Sequence, residues 1–361
     1  MKVNNSTIKK IFLFFLVLMS SANFLLAQSD TAKKISFSGY AEFYYSYDFS
    51  KPPNHEKPNF LYNHKRHNEI NANLILVKAN YIDKNTRANL ALMVGNYAQY
   101  NLSAEPTWAQ FVNEVNIGVK LSKRKNLWLD IGVIPSHIGF ESAVSTDCWT
   151  LTRSMLAENS PYFETGAKLS YINKSEKLTA AFLILNGWQK IQKPNYIQTP
   201  SIGMQVNYKI SSKVLVNYSY FIGTDKPDIL KALRTYHNFY TQIEASKKLG
   251  IIAGVDIGSD KFSPDKYGSW FSTLVIIKYK LDEKASIACR GEYFDDGKQI
   301  LISTNTENGF KTLGLSTNFD YQINSRVQWR VEGKLYNSKD KIFADASNNN
   351  FSFCTNFTMR L

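Results

Sequence analysis

Residues 111–121 read FVNEVNIGVKL, and this stretch decides the fold. Apart from Asn113, every odd position is apolar, whereas four of the five even positions are polar, charged or glycine. A β-strand points successive side chains to opposite faces, so the alternation predicts a strand with one apolar and one polar face. The two faces must therefore meet different surroundings, one apolar and one aqueous.

The connections on the two sides of this strand and its neighbours differ in length. A basic turn at residues 123–125 leads directly into a second alternating segment at residues 127–133. Residues 141–160 then show no periodicity, and alternation returns at residues 163–171. The sequence therefore predicts strands joined by short turns at one end and by long loops at the other.

The same cycle repeats along the chain. We count about sixteen alternating segments, joined by seven short turns and eight long loops in strict alternation, with one long loop at residues 259–268. The weakest alternation is at residues 236–246, where both faces mix aromatic and polar side chains. Only helices and closed barrels satisfy the backbone inside lipid, and alternating turn lengths are typical of outer-membrane barrels. The predicted fold is all-β: a single transmembrane antiparallel up-and-down β-barrel with short periplasmic turns and long extracellular loops.

The first 27 residues have the pattern of a cleaved signal peptide. Lysines at positions 2, 9 and 10 precede an apolar run at residues 11–19 and the small-residue site LLA at residues 25–27. That run is too short to span a bilayer as a helix. Cleavage would leave residues 28–361 as the barrel and lower the formal net charge from +13 to +10, because the three lysines are the only charged residues removed. The protein is thus predicted to be exported through the periplasm.

The composition agrees with a barrel and argues against other classes of protein. Mean hydropathy is −0.29 although aromatic residues reach 14%, as expected when only alternate residues of each strand face lipid. The three cysteines, Cys148, Cys289 and Cys354, give neither a disulfide framework nor a metal-binding spacing, so we interpret them as small packing residues. No clustered basic stripe supports nucleic-acid binding. No cofactor and no metal site are predicted.

Aromatic residues of the apolar faces fall into two bands. One band lies toward the long loops and the other toward the short turns, as at the two interfaces of a membrane-spanning barrel. The first comprises Tyr45, Tyr47, Phe163, Tyr218, Tyr220, Phe271, Tyr293, Phe351 and Phe353, and the second comprises Tyr171, Tyr208, Tyr279, Phe319, Tyr321 and Trp329.

Several longer motifs resemble one known family. They are IGVIPSHIGFE at residues 131–141, WTLTRS at 149–154, AENSPY at 157–162, NGWQ at 186–189, WRVEGK at 329–334 and KDKIF at 339–343. Together they resemble the second group of β-barrel porins of Gram-negative outer membranes, the OmpL-like porins. The resemblance extends over nearly all of the mature chain. The resemblance implies a porin-like channel but supplies no substrate and no catalytic residue. One departure is Leu361, since such barrels usually end in an aromatic residue.

Charged residues opposite the apolar faces cannot contact lipid, where Lys or Arg at the bilayer midplane costs about 2–4 kcal/mol. They are predicted to line a hydrated lumen. Acidic and basic residues occur there in similar number, so the wall alone predicts no strong charge selectivity. The predicted pore-lining residues are Glu114, Lys120, Lys168, Arg290, Glu292, Arg330 and Glu332.

The third long loop, residues 141–160, is the candidate for a pore constriction. A sixteen-stranded barrel leaves an aqueous lumen unless something fills it, and rings of charge sort solutes in such pores. Folded inward, the loop would bring Glu141, Asp147, Arg153 and Glu158 to the passage. An external loop packed on its neighbours is the alternative, and the sequence leaves both open.

Catalytic motifs are lacking. No histidine pair has the H-E-x-x-H spacing, and no G-x-S-x-G motif occurs. His64 and His67 stand three residues apart in a predicted external loop, which leaves only a weak surface metal site as an alternative. We predict a porin, a passive diffusion channel for small hydrophilic solutes, and no enzyme. A lipid hydrolase embedded in the barrel and a loop-displaying adhesin are the alternatives. The expected partners are membrane lipid and small solutes or ions, and a homotrimer is left open.

Overall fold

The computed structural model describes residues 34–263 and 266–361, and the predicted signal peptide lies outside these ranges. Sixteen antiparallel strands form one closed barrel in which each strand pairs with its neighbours in sequence. The first and last strands pair with each other and close the ring, where the Leu361 amide donates to the Gly39 carbonyl at 2.9 Å. The predicted strand number and topology are confirmed.

The strands are between 8 and 15 residues long. Their bounds are β1 Ile35–Asp48, β2 Ile70–Ile82, β3 Thr86–Val94, β4 Val112–Lys120, β5 Asn126–Pro135, β6 Phe163–Ile172, β7 Leu178–Leu185, β8 Ser201–Ser211, β9 Val214–Gly223, β10 Arg234–Glu244, β11 Leu249–Ser263, β12 Lys266–Lys280, β13 Ala285–Asp296, β14 Phe310–Gln322, β15 Val327–Ser338 and β16 Asn349–Arg360. The weakly patterned segment near residue 240 is therefore a strand, β10.

Short and long connections alternate around the barrel except at one position. Residues 259–268, predicted as a long loop, instead extend the β11–β12 hairpin, in which Asp260 pairs with Gly268 and Lys261 with Tyr267. The polar composition of this segment suggested a loop. A hairpin that continues beyond the bilayer can carry polar side chains on both faces, so polarity does not end the strands there.

Side chains alternate between the inside and the outside of the wall as the sequence predicted. Ile117 and Ile277 on the outer face are exposed, whereas Glu114 and Arg290 on the inner face are buried. Gly132 (φ +136°) marks a place where the wall is tight, because a Cβ there would lie 2.1 Å from the Val115 carbonyl oxygen. The outer face is thus an apolar surface suited to hydrocarbon.

The aromatic bands are largely on the outer surface, with one exception. Tyr218, Phe271 and Phe351 are exposed near the long connections, and Tyr208, Tyr279 and Tyr321 are exposed near the short turns. Phe163 is buried instead, in an apolar cluster with Leu102 and Val133. The connection between β3 and β4 covers this ring, which the strand pattern alone could not reveal.

In residues 34–263 and 266–361, helical structure is confined to the connections. Helix α1 spans Asn96–Asn101 and helix α2 spans Met155–Glu158, and four 3₁₀ turns occur elsewhere. Among the described residues, no helix is long and apolar enough to cross a membrane. Cys148 and Cys354 are buried as predicted for packing residues, whereas Cys289 is exposed.

Candidate pore and the loops that fill it

The third long connection, residues 136–162 between β5 and β6, crosses the barrel interior to the opposite wall. On β13, the Arg290 guanidinium donates to the Thr150 hydroxyl at 2.7 Å and to the Thr152 carbonyl at 2.8 Å. On β15, the Arg330 guanidinium donates to the Ser145 carbonyl at 2.5 Å. We call residues 136–162 the third loop. It lies inside the barrel rather than on the outer surface.

Two acidic side chains of the same wall bind the backbone of the third loop. The Thr152 amide donates to the Glu332 carboxylate at 2.6 Å, and the Met155 amide donates to the Glu292 carboxylate at 2.5 Å. Hydrogen bonds to charged groups are about twice as strong as those between neutral groups, and here they are buried. The wall charges therefore hold a loop rather than face open water.

Arg153 stabilises the third loop from within. Its guanidinium donates to the carbonyl oxygens of Ser142, Leu151 and Ala143 at 2.6, 2.7 and 2.9 Å. The side chain is fully buried. Because these carbonyls come from both arms of the loop, Arg153 fixes the fold of the loop and does not face the passage.

The base of the third loop is fixed by His137, which lies directly after β5. Its carbonyl oxygen accepts hydrogen bonds from the Gln205 amide at 2.6 Å and from the Ser219 hydroxyl at 2.7 Å. Its ring nitrogens contact Glu164 and the Tyr220 carbonyl. Sequence reasoning missed this residue as a structural anchor.

Inward-facing glycines are the sequence signal that could have located the loop. A Cβ on Gly203 would lie 2.7 Å from the His137 ring, and a Cβ on Gly250 would lie 2.5 Å from the Trp149 ring. Glycine on the inner face of a strand leaves room for a bulky group to approach the wall. Both glycines thus mark positions where a ring of the third loop packs against the barrel.

The first long connection, residues 49–69, also folds inward. His64 Nε2 lies 2.7 Å from Glu42 Oε1 on β1, and the ring of Phe60 packs edge-on against Phe310 at 4.7 Å between centroids. Burial lowers the pKa of His64. The idea of a surface metal site at His64 and His67 is wrong, because both side chains are buried and His67 accepts a hydrogen bond from the Asp48 amide.

Glu158 links the first connection to the third loop. Its carboxylate accepts hydrogen bonds from the Tyr62 amide at 2.8 Å and from the Asn63 amide at 3.3 Å. Burial raises the pKa of the Glu158 carboxyl. The two connections therefore form one packed body inside the barrel.

The second long connection contributes helix α1. The Tyr44 hydroxyl of β1 donates to the Asn96 side-chain oxygen at 2.6 Å. Tyr97 packs edge-on against Tyr162 of the third loop, with ring centroids 5.5 Å apart. Three connections thus meet in the lumen.

A cavity of about 700 Å³ remains beside the third loop, and we call it the side cavity. Its lining extends from Gly39 and Leu361, near the short turns, to Tyr97 and Tyr162 at the end toward the long connections. Wall residues of β1 to β6, β10 and β16 border it together with residues of the third loop.

The four predicted constriction residues are not brought together at the side cavity. Asp147 is exposed and pairs with Arg360 of β16. Arg153 and Glu158 are buried as described above, and the Glu141 side chain is 2% exposed and accepts a hydrogen bond from the Ser154 amide at 3.1 Å. Glu141 and Asp147 border the side cavity, and Glu141 also packs the loop, whereas Arg153 and Glu158 lie away from the open volume.

The predicted pore-lining residues all lie on the inner face, but most do not line open space. Lys120 and Lys168 are partly exposed, and Glu114 is buried beside Lys78 at the side cavity. The other four, Arg290, Glu292, Arg330 and Glu332, are covered by the third loop. The sequence predicted that these four side chains face water. In the structure they do not, because the third loop folds inward and covers them.

Geometry for catalysis is not found in the described part of the chain. Within residues 34–263 and 266–361, no histidine ring nitrogen bonds a serine hydroxyl. The same residues contain no group of three or more histidine, cysteine or carboxylate side chains arranged to hold a metal ion.

Comparison with known proteins identifies one matching family model. The model described as "Putative beta-barrel porin-2, OmpL-like" matches residues 34–361. No curated protein matches the chain in sequence.

Solved structures with similar folds are outer-membrane proteins. An anion-selective porin from Comamonas acidovorans superposes with a TM-score of 0.62 at 7% sequence identity, and the alignment covers 91% of this chain and 99% of the porin chain. OmpT of Vibrio cholerae has a TM-score of 0.59 at 10% identity, covering 92% and 100%. OmpF of Salmonella typhi has a TM-score of 0.59 at 10% identity, covering 91% and 97%. Identities this low establish the barrel fold alone.

Proposed function

Since the chain belongs to the family described as putative beta-barrel porin-2, OmpL-like, we propose that it lets small hydrophilic solutes diffuse passively across the outer membrane. Membership of this family makes the protein a channel-forming barrel of that membrane. Beyond family membership, we propose where solutes cross the barrel, which class of solute crosses, and that no energy source drives the transport.

The observation that carries the proposal is the side cavity. Its volume of about 700 Å³ is not filled by the third loop, and it is bordered by the polar inner face of the wall. A barrel filled completely by its loops would have no space for a solute. The inward loops reduce the wide lumen that a sixteen-stranded barrel otherwise leaves to one narrow route.

We assign the constriction to Asp147 and Arg360, which face each other between the third loop and β16. Both side chains are about half exposed, at 50% and 47%. The pair Lys78 and Glu114 is a second place where charges border the route. Glu141, Arg153 and Glu158 act indirectly in this proposal, because they hold the loop that forms one side of the route.

Reconstitution into planar bilayers tests the proposal. We expect discrete current steps from the wild-type protein. Replacing residues 142–152 of the third loop by a short glycine-serine linker should raise the unitary conductance several-fold, since it removes the body that narrows the lumen. The matched control shortens the connection at residues 297–309 between β13 and β14. Absence of current from both the wild type and the loop-shortened variant would exclude the channel proposal.

Lipid hydrolysis and adhesion are not proposed, because no observation within the described residues favours either. Incubation of the purified protein with phospholipid tests the first, and liposome swelling in a small solute tests the channel in parallel. Membrane lipid and small solutes or ions are the partners that the proposal requires. Mass measurement in detergent determines whether the barrel is a monomer or a homotrimer.

A further inference from the structure

Each charged side chain that borders the side cavity has a partner of opposite charge, and Glu141 among them lies 3.7 Å from Arg290 of β13. Lys78 Nζ lies 2.5 Å from Glu114 Oε2, and Arg360 pairs with Asp147. Each pair sums to zero formal charge. A charged solute entering the cavity would have to compete with the partner that each group already has. The charge pattern therefore favours no ion of either sign.

The hydrogen-bonding groups that remain free in the cavity are uncharged. Tyr97 and Tyr240 line it with rings that are 1% and 6% exposed, and within the described ranges neither hydroxyl has a hydrogen-bond partner. Neither hydroxyl oxygen is fully buried, so a solute in the cavity can bond to both without displacing a protein partner. The Gln242 side-chain amide, which also lines the cavity, makes no hydrogen bond to any described residue.

Other walls of the cavity are aromatic or apolar. Tyr40, Phe140, Tyr162 and Phe163 border it, together with Leu76 and Ile138. Such rings offer flat surfaces to the C–H faces of a solute, while the free hydroxyls and the amide lie at other points of the lining. Small-molecule sites combine an apolar lining with a few polar groups in this way, in volumes of about 300–1,000 Å³.

We propose that the side cavity binds uncharged, hydroxyl-rich solutes of about disaccharide size, with Tyr97, Tyr240 and Gln242 as the polar contacts. This inference rests on the proposed channel function and names its class of solute. A sugar can donate to and accept from each of these groups without disturbing either charge pair. Lactobionate and the β-1,4-linked disaccharide of glucosamine are of similar size, and their negative or positive charge would be unpaired in a site whose own charges already have partners.

Calorimetric titration of the folded barrel in detergent with sucrose, lactobionate and the disaccharide of glucosamine tests the binding directly. We expect sucrose to bind in the millimolar range and the two charged sugars to bind at least tenfold more weakly. Tyr97→Phe, Tyr240→Phe and Gln242→Leu should each weaken sucrose binding about two- to tenfold, the effect of losing one hydrogen bond. Tyr279→Phe on the outer wall is the matched control and should bind like the wild type. The heat-dependent gel shift of the barrel verifies that each variant is folded.

The outcomes separate this inference from the channel proposal. Ion currents without sucrose binding would overturn the inference and leave the channel proposal standing. Sucrose binding without any current would support the site and remove the diffusion route. Equal binding of sucrose and lactobionate, or cavity variants that bind sucrose like the wild type, would also overturn the inference.

Discussion

His137 and Glu164 form a buried pair at the base of the third loop, with Nδ1 2.8 Å from Oε2. The other ring nitrogen, Nε2, lies 3.0 Å from the Tyr220 carbonyl oxygen. A carboxylate and a carbonyl both accept hydrogen bonds, so this arrangement favours the imidazole with a proton on each ring nitrogen. Burial alone would lower the pKa of His137, but the Glu164 carboxylate and the two hydrogen bonds raise it above its usual value.

The first prediction concerns pH. Because the pKa of His137 is raised in the folded protein, its stabilising effect is complete below the free-histidine value of about 6.5 and is lost as the pH rises through the folded-state pKa. The charged groups that face the ring are Glu164, which favours the proton, and Lys168, which opposes it. The midpoint of thermal unfolding, followed by gel mobility, should fall as the pH is raised from 6 to 9.

His137→Gln provides the test of this assignment. It should lower the stability at pH 6 by about 3–5 kcal/mol, the cost of breaking a buried ion pair, and should flatten the pH dependence above that value. His237→Gln is the control, since His237 contacts Tyr218 away from the third loop. A variant at position 137 that keeps the wild-type slope would show that another group titrates.

The second prediction uses the close approach of Gly203 to the His137 ring. Gly203→Ala places a methyl group 2.7 Å from that ring and should destabilise the barrel by about 1–3 kcal/mol, the usual cost of overpacking. In Gly291→Ala, the new Cβ meets only a side-chain carbon of Leu315 at 3.7 Å, so its stability should stay within about 0.5 kcal/mol of the wild type. Urea unfolding in detergent compares the two, and equal stabilities would contradict the packing described here.

A third prediction concerns Arg290. Its replacement by methionine leaves Glu292 and Glu332 buried with less positive charge and removes the hydrogen bonds to Thr150 and Thr152. We expect a loss of about 3–5 kcal/mol in unfolding free energy and faster proteolysis within residues 142–152. Adding Glu332→Gln should recover part of the loss. The exposed turn residue Arg124 serves as the control position. Unchanged proteolysis of the Arg290 variant would mean that this arginine does not hold the third loop.

The fourth prediction concerns the outer wall. Val275→Arg places a charge on the exposed outer face of β12, midway between Phe271 and Tyr279 of the two aromatic bands, and should cost about 2–4 kcal/mol in a bilayer. Leu281→Arg, just beyond the short-turn end of β12, should cost about 0–1 kcal/mol, because the charge reaches the interface. Equilibrium folding into lipid vesicles measures both. Similar costs at the two depths would be incompatible with a lipid-facing wall.

The fifth prediction tests the assigned constriction. Asp147→Asn leaves the Arg360 charge unpaired beside the route, so the reversal potential in a salt gradient should shift toward preference for anions. Arg360→Gln should shift it toward cations. Lys123→Gln, in a short turn outside the side cavity, should leave it unchanged. Identical reversal potentials in the wild type and both constriction variants would place the ion route elsewhere.

The strands could be predicted from the sequence because alternation is a local property. The residues two positions away on the same strand show that Ile117 lies on the outer face and Glu114 on the inner face. The wrongly predicted loop at residues 259–268 shows where this fails, since a polar hairpin beyond the bilayer has no apolar face to alternate with.

The inward fold of the loops could not be predicted in the same way. It depends on contacts between distant residues, such as Arg290 with Thr152 and Glu158 with Asn63. Charge on the inner face was identified correctly, but a charge that lines water and a charge that binds a loop have the same strand pattern. Gly203 and Gly250 were the sequence signal for an inward loop, because a glycine on the inner face leaves room for a loop side chain to pack against the wall.

The most direct test of the whole account is the ionic current through single molecules in a planar bilayer. For the wild-type protein we predict small, discrete current steps, and for the variant lacking residues 142–152 we predict steps several-fold larger. Steps of equal size in the two proteins would contradict the account, because the third loop could then not narrow the path that ions take.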